Sequence, residues 1–222
     1  MKLEQLVALF RAEVDDTAAP YLWTDPEVID YAADAEMEAC RRALLLIDSS
    51  TVATCQYTVA PGVSVVTLDT RVLYIGRAKI SGQNTPLSRR LVEFMDADNP
   101  GWESDTGTPE AYITDWETGK IRLYPAWTAG GTLNLTVARL PLTEMDDLGG
   151  DEPEIRPEFH RSLRFWMLYR AYSKKDRETE DPEKAKANLA LFEAEFGPRS
   201  SALAEEQRRM QQVYERYVGT GT

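Results

Sequence analysis

The stretch IRPEFHRSLRFWMLYRAY, residues 155–172, holds the only histidine of the chain, His160, among five aromatic rings and several arginines. An imidazole titrates near neutrality and can act as a general base, but it then needs a nucleophile or a substrate-positioning group beside it. No GxSxG, HExxH or comparable pattern accompanies His160. It reads as a helix-surface histidine near the start of a turn. The basic cluster of Arg156, Arg161, Arg164, Arg170, Lys174, Lys175 and Arg177 offers a second chemistry, contact with nucleic-acid phosphate. Pairing with carboxylates is the commoner use of such a face, and this chain has many to offer.

A third possibility lies in Trp102, Tyr112, Trp116, Tyr124 and Trp127, which would form a stacking platform for sugars or bases if exposed. Strand-borne aromatics more often pack a small sheet. The acidic run EMDDLGGDE has carboxylates enough to attract a cation but lacks the alternation and terminal Glu of an EF-hand loop, so it reads as a solvated linker. Cys40 and Cys55 form no CxxC pair and read as reduced, half-buried packing residues. With no Gly-rich phosphate cradle, paired-carboxylate signature or cofactor fingerprint, the expectation is a protein without catalytic residues, cofactor or metal.

The elements that would position these groups can be read from composition and period. The 222 residues suffice for a substantial core, and 43% hydrophobic with 28% charged is ordinary folded usage. A formal charge of −12 argues against a protein that clamps phosphates and suits a surface past which nucleic acid slides. No apolar run approaches the roughly 18 residues of a membrane span, and the start turns acidic where a signal peptide would be cleaved. The expected site of synthesis is a cytoplasm, with no membrane partner.

Residues 1–50 read as helical. Leu3, Leu6, Val7 and Phe10 share one face, and Asp25 as N-cap with Pro26 in the first turn opens a second helix. Its apolar face runs Val28, Ile29, Ala32, Ala35, Ala39, Cys40, Ala43 and Ile47. Alanines on that face allow a neighbour to approach closely. Over residues 51–142 the period shortens towards two, predicting a β-rich lobe from runs such as SVVTL, VLYIGRAKI, KIRLYP and TLNLTVARL. WETGKIRLYP reads as a hairpin turning at Thr118 and Gly119, TAGGTL as a turn before the last strand, and residues 88–110 as one helical turn and a loop. Helices resume over 143–197, with Pro157 opening one and Asp181-Pro182-Glu183 the next, closed by Gly197-Pro198. Plotted as an α-helix, Phe159, Leu163, Phe165, Trp166, Met167 and Tyr169 cover an arc of roughly 200°, wide enough for neighbours on two sides. Residues 198–222 form a tail with Leu203, Met210, Tyr214 and Tyr217 near one face. The fold class is α+β, with the N- and C-terminal segments packed as one helical bundle and the antiparallel β-rich lobe inserted between them.

Taken together, LWTDPEVIDYAADAEMEACRRAL, GTPEAYITDWETGKIRLYPAW, PEIRPEFHRSLRFWMLYRAY and DPEKAKANLALFEAEF resemble, in their order and spacing, the head-to-tail adaptor (neck connector) proteins of tailed bacteriophages. The likeness runs from about Leu22 to Phe196. It implies a structural virion protein that forms a ring, usually of about twelve copies, under the portal, extending the DNA channel. The implied partners are the portal protein, a downstream neck or tail protein and further copies of the chain, with genomic DNA passing through without specific binding. It also implies that residues 198–222 reach the portal, with Leu203, Met210, Tyr214 and Tyr217 as docking anchors. Subunit packing would then fall to Phe159, Leu163, Trp166 and Tyr169. Two other readings stay open: a binding module that presents the aromatic β lobe to glycan or nucleic acid, and a DNA-packaging DNA binder that uses the Arg161 and Arg164 face.

Overall fold

Leu3, Leu6, Val7 and Phe10 recur at helical spacing, and α1 (Leu3–Glu13) buries all four. The computed structural model describes residues 1–201 and Ala204. The first amides of α1 are satisfied by the acidic segment, Leu3 N donating to the Asp151 carbonyl at 2.9 Å and Glu4 N to that of Leu148 at 3.1 Å. That segment is therefore more than a solvated linker. It also buries Met145, while the Asp151 carboxylate accepts the amides of Asp146 and Asp147 at 2.8 and 2.9 Å.

Helix α2 (Asp25–Ala43) is capped by Thr24, whose amide donates to Glu27 Oε2 at 2.9 Å in a capping box. Asp25, the expected cap, lies inside the helix and accepts from Arg11 Nη2 at 2.6 Å. Arg11 is itself buried and donates to Asp16 at 2.8 Å and to the Trp23 carbonyl at 3.1 Å, fixing the loop that joins α1 to α2. The helix ends earlier than its apolar spacing suggested. Leu44 takes a left-handed conformation (φ 51°) and the chain becomes strand β1 (Leu46–Asp48), leaving Ile47 67% exposed and Ala43 exposed as well. Pairing of β1 with the last strand of the lobe overrides the helix propensity of the leucines.

The chain divides into two compact units, Met1–Leu46 with Leu140–Arg199, and Ile47–Arg139. In the first, α5 (Leu163–Tyr172) packs on α1, α2 and α6 (Pro182–Phe196). Its core joins Leu6, Phe10, Val28, Ala32, Ala39, Leu163, Met167 and Phe192. Each large side chain so enclosed contributes about 1.5–3 kcal/mol. Asp181 caps α6 by accepting the Lys184 amide at 3.0 Å, and Gly197 with φ 88° follows its end.

The second unit opens with α3 (Val52–Cys55), then β2 (Gln56–Val59), β3 (Val63–Thr67), β4 (Val72–Ile80), β5 (Ser88–Arg90) and α4 (Val92–Asp98). It closes with β6 (Thr106–Gly107), β7 (Ala111–Ile113), β8 (Lys120–Trp127) and β9 (Gly131–Arg139). Strand β9 pairs with β1, β2 and β4; the second sheet runs β3-β8-β7-β5, with β6 also on β8. The pairs β5–β7 and β6–β8 are parallel, and the others whose register is resolved are antiparallel. Leu133, Leu135 and Val137 from one sheet meet Ile121, Leu123 and Tyr112 from the other in a common core. Residues 88–110, expected to be largely loop, instead supply β5, α4, a 3-10 turn (Trp102–Ser104) and β6. Met95, Trp102 and Ile113 make a satellite core there. Both cysteines are fully enclosed rather than half-buried. With six helices and two sheets among the described residues, the chain is α+β.

The expected hairpin forms between β7 and β8, with Ala111 opposite Tyr124 and Ile113 opposite Arg122. The turn TAGGTL carries the chain from one sheet to the other, because β8 and β9 belong to different sheets. Gly130 there has φ 66°, and an added Cβ would stand 2.7 Å from the Val59 carbonyl oxygen and 2.8 Å from the Pro61 nitrogen. Backbone atoms cannot step aside. Gly130→Ala is expected to cost at least about 2 kcal/mol in urea unfolding, whereas Gly62→Ala should cost about 1 kcal/mol. Gly62 has φ 78° with nothing within 4 Å of such a Cβ, so equal losses for the two variants would refute the steric argument.

Candidate functional site

His160 is 2% exposed, not on the surface. The reason is local winding: Pro157–Ser162 form a 3-10 helix, so the residues advance about 120° rather than 100° and His160 stacks over Leu163 three positions on. Its Nε2 donates to the Ile155 carbonyl at 2.7 Å, which places a hydrogen on that nitrogen, and Nδ1 lies 2.9 Å from the amine of Met1. Both ring nitrogens are engaged. Arg161, one position on, is exposed.

On the other side of Ile155 sits Glu36, a buried carboxyl on α2. Its Oε1 accepts the amides of Glu154 at 2.5 Å and Ile155 at 3.1 Å. Burial pushes this carboxyl up from the ordinary 4.5 to about 7, against the opposing pull of the two amides. The backbone of Ile155 is thus held on both sides, its N–H by Glu36 and its C=O, in the next peptide group, by His160. Sequence reading missed Glu36, although a charge on the face carrying Ala32, Ala35 and Ala39 was a usable sign.

The basic cluster divides. Arg164 donates to Glu13 at 3.0 Å, Lys174 to Glu27 at 2.5 Å, Arg170 to Asp34, and Arg156 lies 3.2 Å from Glu158. Lys174 beside Glu27 holds that carboxyl below its ordinary range. Arg161, Lys175 and Arg177 face solvent. A cationic stripe for a phosphate backbone is not what this face presents.

Of the residues proposed to pack subunits, Leu163 is fully enclosed and Trp166 is 7% exposed, its indole donating to Asp34 Oδ2 at 2.8 Å. Arg42 lies over the Trp166 and Phe192 rings, 5.1 Å from each centroid. Leu163 and Trp166 therefore spend their surface within their own chain. Phe159 and Tyr169 are half-buried, against Phe196 and Trp166. The docking residues Leu203, Met210, Tyr214 and Tyr217 lie outside the described residues.

The five aromatic residues do not form one exposed platform. Trp102, Tyr112 and Trp127 are at most 5% exposed, and the Trp102 indole donates to Asp96 Oδ1 at 2.8 Å. Trp116, 38% exposed, stands at 81° to Trp102, so these two rings do not extend one another into a shared stacking plane. Tyr112, Trp127, Trp102 and Tyr124 instead pack the cores of the lobe. The β lobe has instead a cleft of about 730 Å³ whose lining includes Leu68, Val72, Tyr74, Arg89 and Trp116.

Charge is unevenly distributed. Residues 1–46 and 140–199 carry 24 acidic against 14 basic side chains, a net of −10, while residues 47–139 carry 10 against 8, a net of −2. Among the described residues no helix is long and apolar enough to cross a membrane. A family model described as SU10 adaptor protein matches residues 1–218, and no curated protein matches the chain.

Proposed function

The chain belongs to the SU10 adaptor protein family, a family of phage head-to-tail adaptors, and from that premise we propose that it is a virion component forming a ring at the neck. The match across residues 1–218 carries the reading. In it, the helical unit packs as a bundle in a ring of about twelve copies whose contacts close by rotation. The ring joins the portal to the next neck or tail protein and continues the DNA channel. It performs no catalysis. The engagement of both His160 nitrogens and the pairing of Arg164, Arg170 and Lys174 with carboxylates support that view. The concentration of net negative charge in the helical unit suits a wall that exiting DNA does not adhere to. Phe159 and Tyr169 keep partly exposed surface for a neighbouring subunit, and residues 198–222 dock on the portal through Leu203, Met210, Tyr214 and Tyr217.

The test is particle mass and negative-stain imaging of the protein alone and mixed with the portal protein of the same genome. The expected result is a stoichiometric collar on the portal, lost when the chain is truncated after Gly197. A monomer indifferent to portal would overturn the adaptor reading. Full portal binding by the truncated chain would overturn the docking role of the tail.

A further inference from the structure

The cleft of the β lobe is bounded by the β3–β4 connection, the first half of β4, Arg89 of β5 and the segment from Thr114 to Ile121. At about 730 Å³ it has the size of a site for a short peptide. Its ionic groups are nearly all matched from within the chain. Asp69 takes Arg71 at 2.8 and 2.9 Å, Glu117 takes Lys120 at 2.5 Å, and both oxygens of Asp115 take the Val92 amide at 3.2 Å.

Arg89 differs. Its Nε and Nη2 donate to the neutral hydroxyl of Thr114 at 3.3 and 3.1 Å, and its guanidinium carbon lies 6.0 Å from the Tyr74 ring centroid. A guanidinium has five N–H donors, so the outer end of the fork keeps donors for a further acceptor. That fork matches a carboxylate in two parallel bonds. Pairing Arg89 on β5 with Tyr112 on β7 fixes where its side chain starts. Leu68, Val72 and Trp116 give the same cleft an apolar wall.

We propose that this cleft binds a short peptide segment of a partner protein, with a side-chain carboxylate seated on Arg89 and the adjoining apolar side chain against Val72 and Trp116. The chemistry recognised is one carboxylate beside one apolar group. A polynucleotide is the poorer occupant, because the lining holds only two cations, Arg89 and Lys120, of which Lys120 already takes Glu117, whereas a run of phosphates draws on several and a single carboxylate needs only the one fork. That the peptide belongs to a neighbouring virion protein rests on the adaptor reading; the binding itself does not.

The probes are acetyl-Leu-Tyr-Leu-Glu amide and its Gln counterpart, titrated into the isotope-labelled full chain. The readout is the indole N–H resonance of Trp116, assigned by Trp116→Phe. The Glu peptide is expected to shift it saturably and to bind about ten-fold more tightly than the Gln peptide. Arg89→Gln should abolish that difference, Arg89→Lys should reduce it by losing the fork, and Arg161→Gln, on an exposed side chain of the other unit, should leave it intact. Equal binding of the two peptides by the unaltered protein would overturn the proposal. So would discrimination that survives Arg89→Lys undiminished, or single-stranded oligothymidylate moving the same resonance at lower concentration. No ring or portal is needed, so failure here leaves the adaptor reading standing, and loss of portal binding leaves the cleft standing.

Discussion

Asp48→Ala is expected to destabilise the β lobe by about 3–5 kcal/mol, measured by urea unfolding and by amide exchange along β9. Asp48 and Arg139 are 8% and 6% exposed, and Arg139 Nε donates to Asp48 Oδ2 at 2.6 Å. The other carboxylate oxygen accepts the amides of Ser50 at 2.9 Å and Thr51 at 3.2 Å, which sets the turn into α3. Removing the carboxylate takes from the buried guanidinium the charge that its Nε faces, and takes from the Ser50 and Thr51 amides the oxygen they share. The position matters as much as the chemistry. Asp48 and Arg139, 91 residues apart, stand where the chain enters and leaves the second unit, so one contact ties both ends of the lobe.

Burial pushes the Asp48 carboxyl up, yet the hydrogen bonds from Thr51, Ser50 and Arg139 together outweigh it and hold the group well below the ordinary 3.8. Its contribution is therefore present in full above that value and is lost as pH falls below it. Asp48→Ala should flatten the acid limb of lobe stability. Pairing it with Arg139→Met should cost less than the two single changes summed, since the double variant strands no charge. A loss under about 1 kcal/mol for Asp48→Ala would show that the pair does not hold the lobe closed.

These two residues also mark the limit of what the sequence discloses. Periodicity carried the faces of α1 and of β8 and β9, because one side of each packs on a core, and the caps around Asp181 and Gly197 were legible from local chemistry alone. Contacts between distant residues were not legible: nothing local to Asp48 names Arg139, and nothing local to Glu36 names the amides of Glu154 and Ile155. The segment after Ala43 misled because its intrinsic preference is helical while its partner, β9, lies some ninety residues on. His160 misled because a 3-10 turn rotates side chains by a step that a helical wheel does not use. Arg89 went unremarked because it lies in a stretch read as mostly loop. The ring-forming role came from family likeness, whereas the docking role of Leu203, Met210, Tyr214 and Tyr217 joins that likeness to their spacing near one face.

Glu36 gives a pH effect of opposite sign. Its carboxyl is raised in the folded protein from the ordinary 4.5 to about 7, so the folded state holds a proton that the unfolded state has released between those values. Stability therefore falls as pH rises through that window, by up to roughly 3 kcal/mol at 1.36 kcal/mol per unit. The groups facing it are the Ile155 and Glu154 amides, which favour the charged form, and the Glu154 carboxylate, which opposes it. Glu36→Gln keeps an oxygen for the two amides and cannot ionise, so its stability should stay level where the unaltered protein declines, and should exceed it above pH 7. Glu36→Ala leaves both amides without an acceptor and should cost about 2–4 kcal/mol even at pH 5. The difference between the unaltered protein and Glu36→Gln, followed by urea unfolding from pH 5 to 8, isolates this one group from every other titration. If that difference does not change with pH, the carboxyl titrates at its ordinary value. Glu36 would then be held as a carboxylate by the two amides, and the segment from Glu154 to His160 would be anchored to α2 without any sensitivity to protons.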